Sequence, residues 1–258
     1  MKVIVALKRV PEFSEIELKI DEKGKDIKKD NLPWTINEAD NYALEEALLI
    51  KEKFGGEITA ITVGKKESEE VLRLGLAKGV DNAIRIDGDY IDPMVIGFLM
   101  AKVIKDIPFD LILCGAFSSD FGYAACGPIL ASFLSLPFVC YVNKIEFRNS
   151  HLEIERELEG GRIEVKKVPL PCLLTIQTGI NTPRYASLLG IKRAQGREIK
   201  VFDLNALSLT EEEIKTKTSL DIHRLFKPLR EAKAEFLTGT SEEIAERVAR
   251  LIKEKGLL

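Results

Sequence analysis

Along the first 115 residues, short continuous apolar runs alternate with longer stretches in which apolar side chains recur at helical spacing. The continuous runs are "KVIVALK", "GEITAITVG", "NAIRI" and "DLILCG". The periodic stretches are "NEADNYALEEALLIKEK", "KESEEVLRLGLAKGV" and "DPMVIGFLMAKVIKD". The runs indicate strands buried on both faces, and the alternation predicts a doubly wound α/β fold with a mostly parallel sheet. Ligands of such folds bind outside the carboxyl ends of the strands.

Beyond Pro137 the pattern changes to alternating apolar and polar positions. The stretch "YVNKIEFRNSHLEIERELEGGRIEVKKV" alternates around the turn signals "RNS" and "EGG", which predicts antiparallel edge strands. One more buried strand, "PCLLTIQT", follows. The connection from 179 to 201 has no clear periodicity, so we predict a long loop, a kind of segment that tends to be functional.

From Asp203 the chain is more charged and poorer in strand-forming residues. Its last segment opens with a capping-box pattern from Thr240 to Glu243. An apolar stripe then follows at helical spacing: Ile244, Val248, Leu251 and Ile252. Because little apolar sequence precedes this stripe, we predict a C-terminal arm over residues 201–258 that docks on a partner chain, behind an α/β domain over residues 1–200.

Composition narrows the classes of function. The chain has 258 residues, 45% of them hydrophobic and 31% charged, with a formal net charge of -3. A weakly acidic protein without a basic face does not favour nucleic acid or an anionic membrane as its partner. No signal-peptide pattern and no apolar run approaching a membrane span occurs, so a cytoplasmic protein is expected. Membrane association would come only through partner subunits.

Side chains that usually carry catalysis or bind metal are scarce. The cysteines form no CxxC pair and lie in or beside apolar runs: Cys114, Cys126, Cys140 and Cys172. Buried, reduced thiols are expected, and a thiol enzyme using Cys126 is disfavoured because no histidine or basic neighbour is placed to form its thiolate. The carboxylates of "ERELEGG" fit a solvated hairpin. We therefore predict no catalytic residue and no metal site.

The stretch "GAFSSDFGYAACGP" at residues 115–128 lies between a predicted strand and a predicted helix. It lacks the GxGxxG and GxxxxGK[ST] patterns, yet free backbone N–H groups at a helix start attract phosphate without them. Gly122 and Gly127 permit close backbone approach, and Pro128 suits a first helical turn. A connection that only packs the strand against the helix is an equal alternative.

Asn37 and Asp40 allow a similar choice. At the start of a helix they need no ligand, and a simple cap is the favoured interpretation. If the loop after the first strand meets the loop at 115–128, Asn37 comes within hydrogen-bonding reach of a base or ribose.

Several segments, in their order and spacing, resemble the β subunit of electron transfer flavoproteins, including the FixA-type proteins. They are "VALKRVPE", "INEADNYALEEALLIKE", "ITVG", "DLILCGAFSSDFGYAACGPILASFLSLP", "ERELEGG", "LPCLLT" and "NTPRYASLLGIKRAQGREI". In that family the β subunit is a Rossmann-like α/β domain that pairs with an α subunit carrying FAD, and a C-terminal arm wraps the α subunit. The resemblance, which covers nearly the whole chain, therefore implies a heterodimer.

The resemblance also implies an adenine-nucleotide site at the rim that the strand pattern selects. By position, its cofactor-binding residues are Ala6, Asn37, Asp40, Val63, Gly64, Asp120, Phe121, Gly122, Tyr123, Ala124, Ala125, Cys126, Gly127, Pro128 and Ala131. The chain departs from the family in reading "NEAD" for NPFD or NPYD, and "DFGYAACGP" for DGDTAQVGP. Tyr123 and Ala125 replace a hydroxyl and an amide, so backbone N–H groups must carry more of the phosphate binding, and Tyr123 stacks or hydrogen-bonds differently.

Two branches of the family differ in the nucleotide that the β subunit holds. In the bifurcating branch this is a second FAD, which accepts hydride from NADH. Its electrons go singly to ferredoxin and, through the α-subunit FAD, to an acyl-CoA dehydrogenase or quinone oxidoreductase. The stretch from Val10 to Glu15, the segments "YALEEAL" and "CGPILASFLSLP" and the long tail resemble this branch, which we favour.

Two alternatives remain beside the bifurcating interpretation. Within the family, the nucleotide would be AMP, held as a structural group in a single-FAD electron carrier. From another class, the chain would be a stand-alone nucleotide-binding regulator of the stress-protein type, which leaves the long tail unexplained.

The family presents a leucine to the partner dehydrogenase on a recognition loop. By position this is Leu188, supported by Tyr185 and Ile191, and the glutamate that contacts the mobile flavin domain is Glu157. A single exposed leucine in a surface loop is the ordinary alternative.

Overall fold

The computed structural model describes residues 1–12, 17–228 and 234–257. The strands are β1 (Lys2–Ala6), β2 (Arg9–Pro11), β3 (Trp34–Ile36), β4 (Glu57–Val63), β5 (Asn82–Ile86), β6 (Leu111–Gly115), β7 (Phe138–Phe147), β8 (Leu152–Leu158), β9 (Arg162–Val168), β10 (Cys172–Ile176) and β11 (Lys200–Phe202). The helices are α1 (Glu38–Phe54), α2 (Glu69–Lys78), α3 (Pro93–Ile104), α4 (Cys126–Phe133), α5 (Leu188–Gln195), α6 (Glu211–Lys217) and α7 (Ser241–Glu254). Glu15, which belongs to a stretch resembling the bifurcating branch, lies outside the described residues, as do 229–233 and 258 of the predicted arm.

The predicted fold class is confirmed. Within the described residues, nine strands form one sheet in the order β11-β5-β4-β1-β6-β10-β7-β8-β9. Every pairing from β11 to β7 is parallel. Going along the chain, β4 and β5 extend the sheet on one side of β1, whereas β6 and β10 extend it on the other. The gap between the ends of β1 and β6 is therefore the topological switch point, where ligands of such folds bind.

Both faces of the sheet are buried, as the continuous apolar runs predict. In β1, Val3 and Val5 pack in the core with α1 and α2, whereas Ile4 and Ala6 pack with α3 and α4. The alternation of side chains along a strand puts the two pairs on opposite faces. α1 and α2 thus cover one face and α3 and α4 the other, and the strand ends lie between these two layers.

The predicted antiparallel edge is also confirmed. β7 pairs with β10 in parallel but with β8 antiparallel, and β8 pairs with β9 antiparallel. A register shift between Leu174 and Ile176 marks the junction, and there the Tyr141 N–H donates to Thr175 Oγ1 (3.1 Å). This hydrogen bond fixes the side chain of Thr175 underneath α4.

The predicted long loop from 179 to 201 is wrong in its second half, which contains α5 and the start of β11. Ser187 Oγ caps α5 by accepting from the Gly190 N–H (3.0 Å). Periodicity missed this helix because only one of its residues is buried, so no apolar stripe marks it. Close packing on α2 holds it instead, since a Cβ added at Gly190 would lie 2.2 Å from the Ala77 carbonyl oxygen.

The predicted C-terminal arm packs in two different ways. Leu209 and Ile214 are buried in the core cluster that contains α3, so this part lies on the α/β domain. α7 has no buried residue, and its capping box is confirmed by hydrogen bonds between Thr240 and Glu243. Like every other helix of the described residues, α7 is not long and apolar enough to cross a membrane. The division of the chain at residue 200 and the docking of the arm on another chain stay predictions.

Candidate functional site

A cavity of about 120 Å³ lies at the switch point, where the loops after β1, β4, β5 and β6 meet. The predicted cofactor-binding residues that line it are Ala6, Asn37, Asp40, Val63, Tyr123, Ala124, Ala125, Cys126 and Gly127. The two ligand loops that the sequence pattern selects therefore converge on one rim. α4 begins at the same place.

Asn37 lies at the predicted N-cap position, but the predicted capping by its side chain is wrong. Asn37 occupies the N-cap position of α1, but its side chain makes no cap hydrogen bond. Its Nδ2 instead donates to the Phe117 carbonyl (2.9 Å), and its Oδ1 accepts from the Ser119 N–H (3.1 Å). Asn37 thus holds the loop after β6 against the start of α1.

Lys8 and Asp40 complete the links between the loops after β1 and β6. Asp40 Oδ2 accepts from the Lys8 N–H (2.8 Å) and its Oδ1 from the Gly115 N–H (2.9 Å), so one buried carboxyl joins both strand ends. Lys8 Nζ forms an ion pair with Asp120 Oδ2 (2.6 Å) and donates to Ser118 Oγ (3.3 Å). Lys8 ends the first apolar run, "KVIVALK", and was not among the predicted site residues, although it lines the cavity.

Burial raises the pKa of Asp40 from 3.8 to about 6. The hydrogen bonds from Asn37, Gly115 and Lys8 act in the opposite direction, because they favour the ionised carboxylate. Desolvation outweighs them, so this carboxyl titrates close to neutral pH while it bridges the two loops.

Replacing Asp40 with asparagine is expected to flatten the dependence of stability on pH. Because the folded-state pKa is raised, the contribution of Asp40 is fully present below pH 3.8 and is lost as the pH rises through about 6. From about pH 5 to about pH 7, the wild type should lose roughly 1 kcal/mol of unfolding free energy through this group, and Asp40→Asn should not. Urea unfolding, followed by the fluorescence of the single tryptophan, Trp34, measures both proteins. Equal pH slopes would contradict the raised pKa.

The backbone enters the left-handed region twice before α4 begins, at Gly122 (φ 63°) and Ala124 (φ 51°). That conformation costs a residue with a Cβ about 1–2 kcal/mol, and such strain is characteristic of ligand sites. The N–H groups in the first turn of α4, from Cys126, have no carbonyl partner within the helix. The loop therefore presents a helix start that can bind an anion.

Phe121 and Tyr123 form a stacked pair beside the cavity. Their ring centroids lie 5.4 Å apart and their ring planes differ by 11°. Lys8 Nζ lies 5.0 Å from the Phe121 ring centroid, within the range of a cation–π contact. The pair offers a flat aromatic surface. The family pattern DGDTAQVGP has glycine at the position of Phe121 and threonine at that of Tyr123.

Gly122 and Gly127 are glycines for different reasons. Among the described residues, the nearest atom to a Cβ added at Gly122, its chain neighbours aside, would be the Ser118 carbonyl oxygen at 4.0 Å, so the backbone conformation is what requires glycine. At Gly127 the Cβ would lie 2.5 Å from Thr175 Cγ2 and 3.0 Å from Cys114 Sγ. Gly127 thus allows α4 to pack directly on β10, which is the packing alternative that the sequence left open. Its close approach to a phosphate stays a prediction.

The other predicted cofactor-binding residues lie around the cavity without lining it. Asp120 and Phe121 form the outer edge through their contacts with Lys8. The Gly64 N–H donates to the Ile86 carbonyl (2.9 Å) and joins the loops after β4 and β5. Pro128 occupies the first turn of α4, as predicted, and Ala131 is buried in the core.

Sequence reasoning missed the wall of the cavity that the loop after β5 and α3 provide. This wall consists of Tyr90, Ile91, Pro93, Ile96 and Met100. The signal that could have found it is the strand "NAIRI", which ends at the same rim and is followed by the loop "DGDYID". A mostly apolar wall opposite a few polar groups is typical of a small-molecule site.

The predicted partner-binding residues are separate from the cavity lining. Tyr185 and Leu188 are 98% and 87% exposed, and Ile191 is exposed as well. Leu188 begins α5 instead of lying in a loop. Glu157 lies on β8 opposite Ile163 of the edge strand β9. Contact of these residues with a partner stays a prediction.

The two thiols at the cavity, those of Cys114 and Cys126, have raised pKa values. Burial raises the pKa of Cys126 to about 12 and that of Cys114 well above its ordinary value of 9.0. Both therefore stay protonated at neutral pH, and a protonated thiol is a poor nucleophile.

A parallel sheet with a cavity and a helix start at its switch point is the arrangement typical of nucleotide-binding α/β proteins. A family model described as "Electron transfer flavoprotein domain" matches residues 26–207. The electron transfer flavoprotein subunit beta of Bacillus subtilis is 39% identical over 259 residues, 99% of this chain and 98% of the relative. The chain belongs to the electron transfer flavoprotein β-subunit family, whose members pair with an α subunit.

Two further relatives come from named redox systems. The caffeyl-CoA reductase-Etf complex subunit CarD of Acetobacterium woodii is 33% identical over 265 residues, 100% of both chains. The protein FixA of Azotobacter vinelandii is 32% identical over 213 residues, 79% of this chain and 75% of FixA. The resemblance to FixA-type proteins is thereby confirmed.

Proposed function

We propose that this chain holds FAD at the switch-point rim and, together with an α subunit, takes part in flavin-based electron bifurcation. The observation that carries the proposal is the loop from Phe121 to Gly127, which turns twice through the left-handed region and ends at the open N–H groups of α4. Lys8 lies beside it, with its ammonium paired to Asp120. Phosphate is the ligand that such a helix start favours.

The side chains around the rim fit the remaining parts of an adenine dinucleotide. Ile91, Ile96 and Met100 give an apolar wall for a ring, and the Phe121–Tyr123 pair gives a second flat surface. When bound, FAD would supply the redox chemistry, with NADH as hydride donor and with ferredoxin and, through the α-subunit FAD, an acyl-CoA dehydrogenase or quinone oxidoreductase as one-electron acceptors. The protein binds and orients the cofactor, so no acid, base or nucleophile is needed from this chain.

Similarity to the Etf complex subunit CarD and to FixA supports the bifurcating branch. One observation favours the AMP alternative. The switch-point cavity of about 120 Å³ is smaller than the roughly 300–1,000 Å³ usual for a ligand pocket, so a mononucleotide would need less additional room than FAD. In that case the nucleotide is structural and the α subunit carries the single flavin.

Two regions are proposed as partner surfaces in the cytoplasm. The arm from residue 201 onward, with α7 at its end, wraps the α subunit. Leu188, with Tyr185 and Ile191, contacts the partner oxidoreductase. Their exposure and the absence of buried residues in α7 support this division of roles.

Co-expression with the α subunit is expected to yield a yellow heterodimer that retains two FAD molecules. Denaturation in acid and chromatography of the released nucleotides give the count. One FAD with one AMP would replace the bifurcating proposal by the AMP alternative. Release of a single FAD without any second adenine nucleotide would contradict a nucleotide site in this chain.

A further inference from the structure

Arg85 is the only buried cation among the residues that the structure describes. It is 7% exposed and lies near the end of β5. Its neighbours along β5, Ile84 and Ile86, pack in the core cluster that contains α3, so the side chain of Arg85 lies on the opposite face of the sheet, with α2. Arg85 is not part of the lining of the switch-point cavity. Any effect that it has on a ligand therefore acts through other residues.

The guanidinium of Arg85 joins two loops of the cavity rim. Its Nη1 donates to the Gly64 carbonyl (3.0 Å), after β4, and to Asp87 Oδ1, after β5. Its Nε donates to Glu69 Oε1 (3.2 Å) at the start of α2. The Gly64 N–H in turn donates to the Ile86 carbonyl (2.9 Å). Both backbone polar groups of Gly64 are thus tied to β5.

The loop after β5 carries Tyr90 and Ile91, which line the cavity. Gly88 has a φ of 153°, and a Cβ added there would collide with Tyr90 Cε2, so the tyrosine ring packs on this glycine. At the far end of the loop, Asp92 is 3% exposed and caps α3 by accepting a backbone N–H (2.8 Å). A buried charged side chain therefore fixes each end of the loop, and Arg85 fixes the end that is also joined to the loop after β4.

The wall that these two loops form differs chemically from the start of α4. Val63, Tyr90 and Ile91 give a mostly apolar surface, whereas α4 begins with open backbone N–H groups. A nucleotide with its phosphate at α4 therefore meets this wall with its uncharged part. Because a buried ion pair contributes little net stability, the main consequence of such a pair is the geometry that it fixes.

We propose that Arg85 is a positioning residue for the nucleotide. By joining Gly64 to Asp87, it holds the loops after β4 and β5 in the conformation that accepts the base. This inference rests on the proposed function. Without Arg85 the ligand itself must order the two loops, and this ordering lowers its affinity. The loss falls on the base and leaves the phosphate contact unchanged.

The full-length chain, stripped of nucleotide, is titrated with AMP, adenosine and ribose 5-phosphate, and binding is followed by NMR chemical shifts. Arg85→Met is expected to weaken AMP and adenosine alike by about tenfold, the scale of ordering one or two side chains. Ribose 5-phosphate lacks the base, so its affinity should change by less than about twofold. A general distortion of the site would weaken all three ligands.

Two further variants separate the loop link from other effects. Asp87→Ala removes only the link to the loop after β5, and since this side chain is 48% exposed, the variant tests the proposal should Arg85→Met not fold. We expect a loss of about threefold for AMP. Asp89→Ala is the matched control, because the Lys65–Asp89 pair (2.5 Å) joins the same loops through side chains that are 64% and 63% exposed. An exposed pair contributes little, so the loss should stay below about twofold.

Hydrogen exchange of the nucleotide-free chain tests the positioning without a ligand. The N–H groups of Gly64 and Asp87 are both hydrogen-bonded, and they should exchange faster in Arg85→Met than in the wild type. Asp87→Ala should speed exchange at Asp87 in the same way. The Gly115 N–H, which donates to Asp40 where β6 ends, is the internal reference and should exchange as before.

Unchanged AMP affinity in both Arg85→Met and Asp87→Ala would overturn the proposal. An equal loss for ribose 5-phosphate, or unchanged exchange at Gly64 and Asp87, would overturn it as well. A wild type that binds neither AMP nor adenosine would contradict the proposed function, and the exchange rates would still decide whether Arg85 holds the two loops.

Discussion

Replacing Gly127 with alanine is expected to destabilise the protein by about 2–3 kcal/mol, although helix propensity alone predicts a gain of about 1 kcal/mol. An added Cβ would lie 2.5 Å from Thr175 Cγ2 and 3.0 Å from Cys114 Sγ. Thr175 cannot turn away without losing the hydrogen bond that its Oγ1 accepts from the Tyr141 N–H (3.1 Å). A decrease in the unfolding free energy would therefore show that the packing clash outweighs helix propensity, and an increase would show the reverse.

A double-mutant cycle with Thr175→Ser identifies the colliding atom. Serine lacks Cγ2 but keeps the hydroxyl that Tyr141 needs, so the double variant should recover about 1–2 kcal/mol relative to additivity. Gly122→Ala is the control within the same loop, with open space around its Cβ and an expected cost of about 1–2 kcal/mol from the left-handed backbone alone. An additive cycle, or a stabilising Gly127→Ala, would show that α4 does not rest on Thr175.

Arg184→Met is expected to lower the unfolding free energy by about 3 kcal/mol, because it leaves a carboxylate buried without its partner. The side chain of Glu45 is 5% exposed, and it accepts from the Arg184 backbone N–H (3.0 Å) and from Nη2 (2.8 Å). Removing one member of a buried pair is costly since the remaining charge is uncompensated. Tyr185 and Leu188 follow directly, so the same change should also speed proteolytic cleavage of this exposed segment.

Two controls isolate the buried charge. Glu52→Gln removes the other carboxylate that pairs with Arg184, but the Glu52 side chain is 56% exposed, so we expect a loss below about 1 kcal/mol. The double variant Arg184→Met with Glu45→Met removes both charges and should recover most of the loss. Urea unfolding measures all four proteins. A loss in Arg184→Met no larger than that in Glu52→Gln would contradict this account of the Glu45 pair.

The parallel sheet and its rim were predictable because they depend on local patterns. Runs such as "KVIVALK" indicate strands buried on both faces, and strand order then makes the loops after β1 and β6 neighbours. The placement of Gly122 and Tyr123 at the rim follows from the same reasoning. The capping box from Thr240 to Glu243 was visible because its residues lie three apart.

What the sequence did not show depends on contacts between distant segments. The side-chain amide of Asn37 forms hydrogen bonds with Phe117 and Ser119. A residue that the local sequence predicts to cap α1 therefore holds a distant loop instead. α5 is held by Ser187 and by close packing on α2, without an apolar stripe. The start of the segment after α6 is attached through Asp92, whose hydrogen-bond partners Ser219 and Leu220 lie 127 and 128 positions further along the chain. No periodicity or motif encodes such pairings.

The central claim is that the backbone N–H groups from Tyr123 to Gly127 hold the phosphate of an adenine nucleotide, since the Gly122 N–H already donates to the Ser118 carbonyl. Backbone hydrogen exchange of the stripped chain, with and without AMP, tests it most directly, because AMP carries the phosphate common to both alternatives. We predict slower exchange at residues 123–127, with α7 unchanged as an internal reference. Protection confined to other segments while AMP is bound, with residues 123–127 exchanging as before, would contradict the claim.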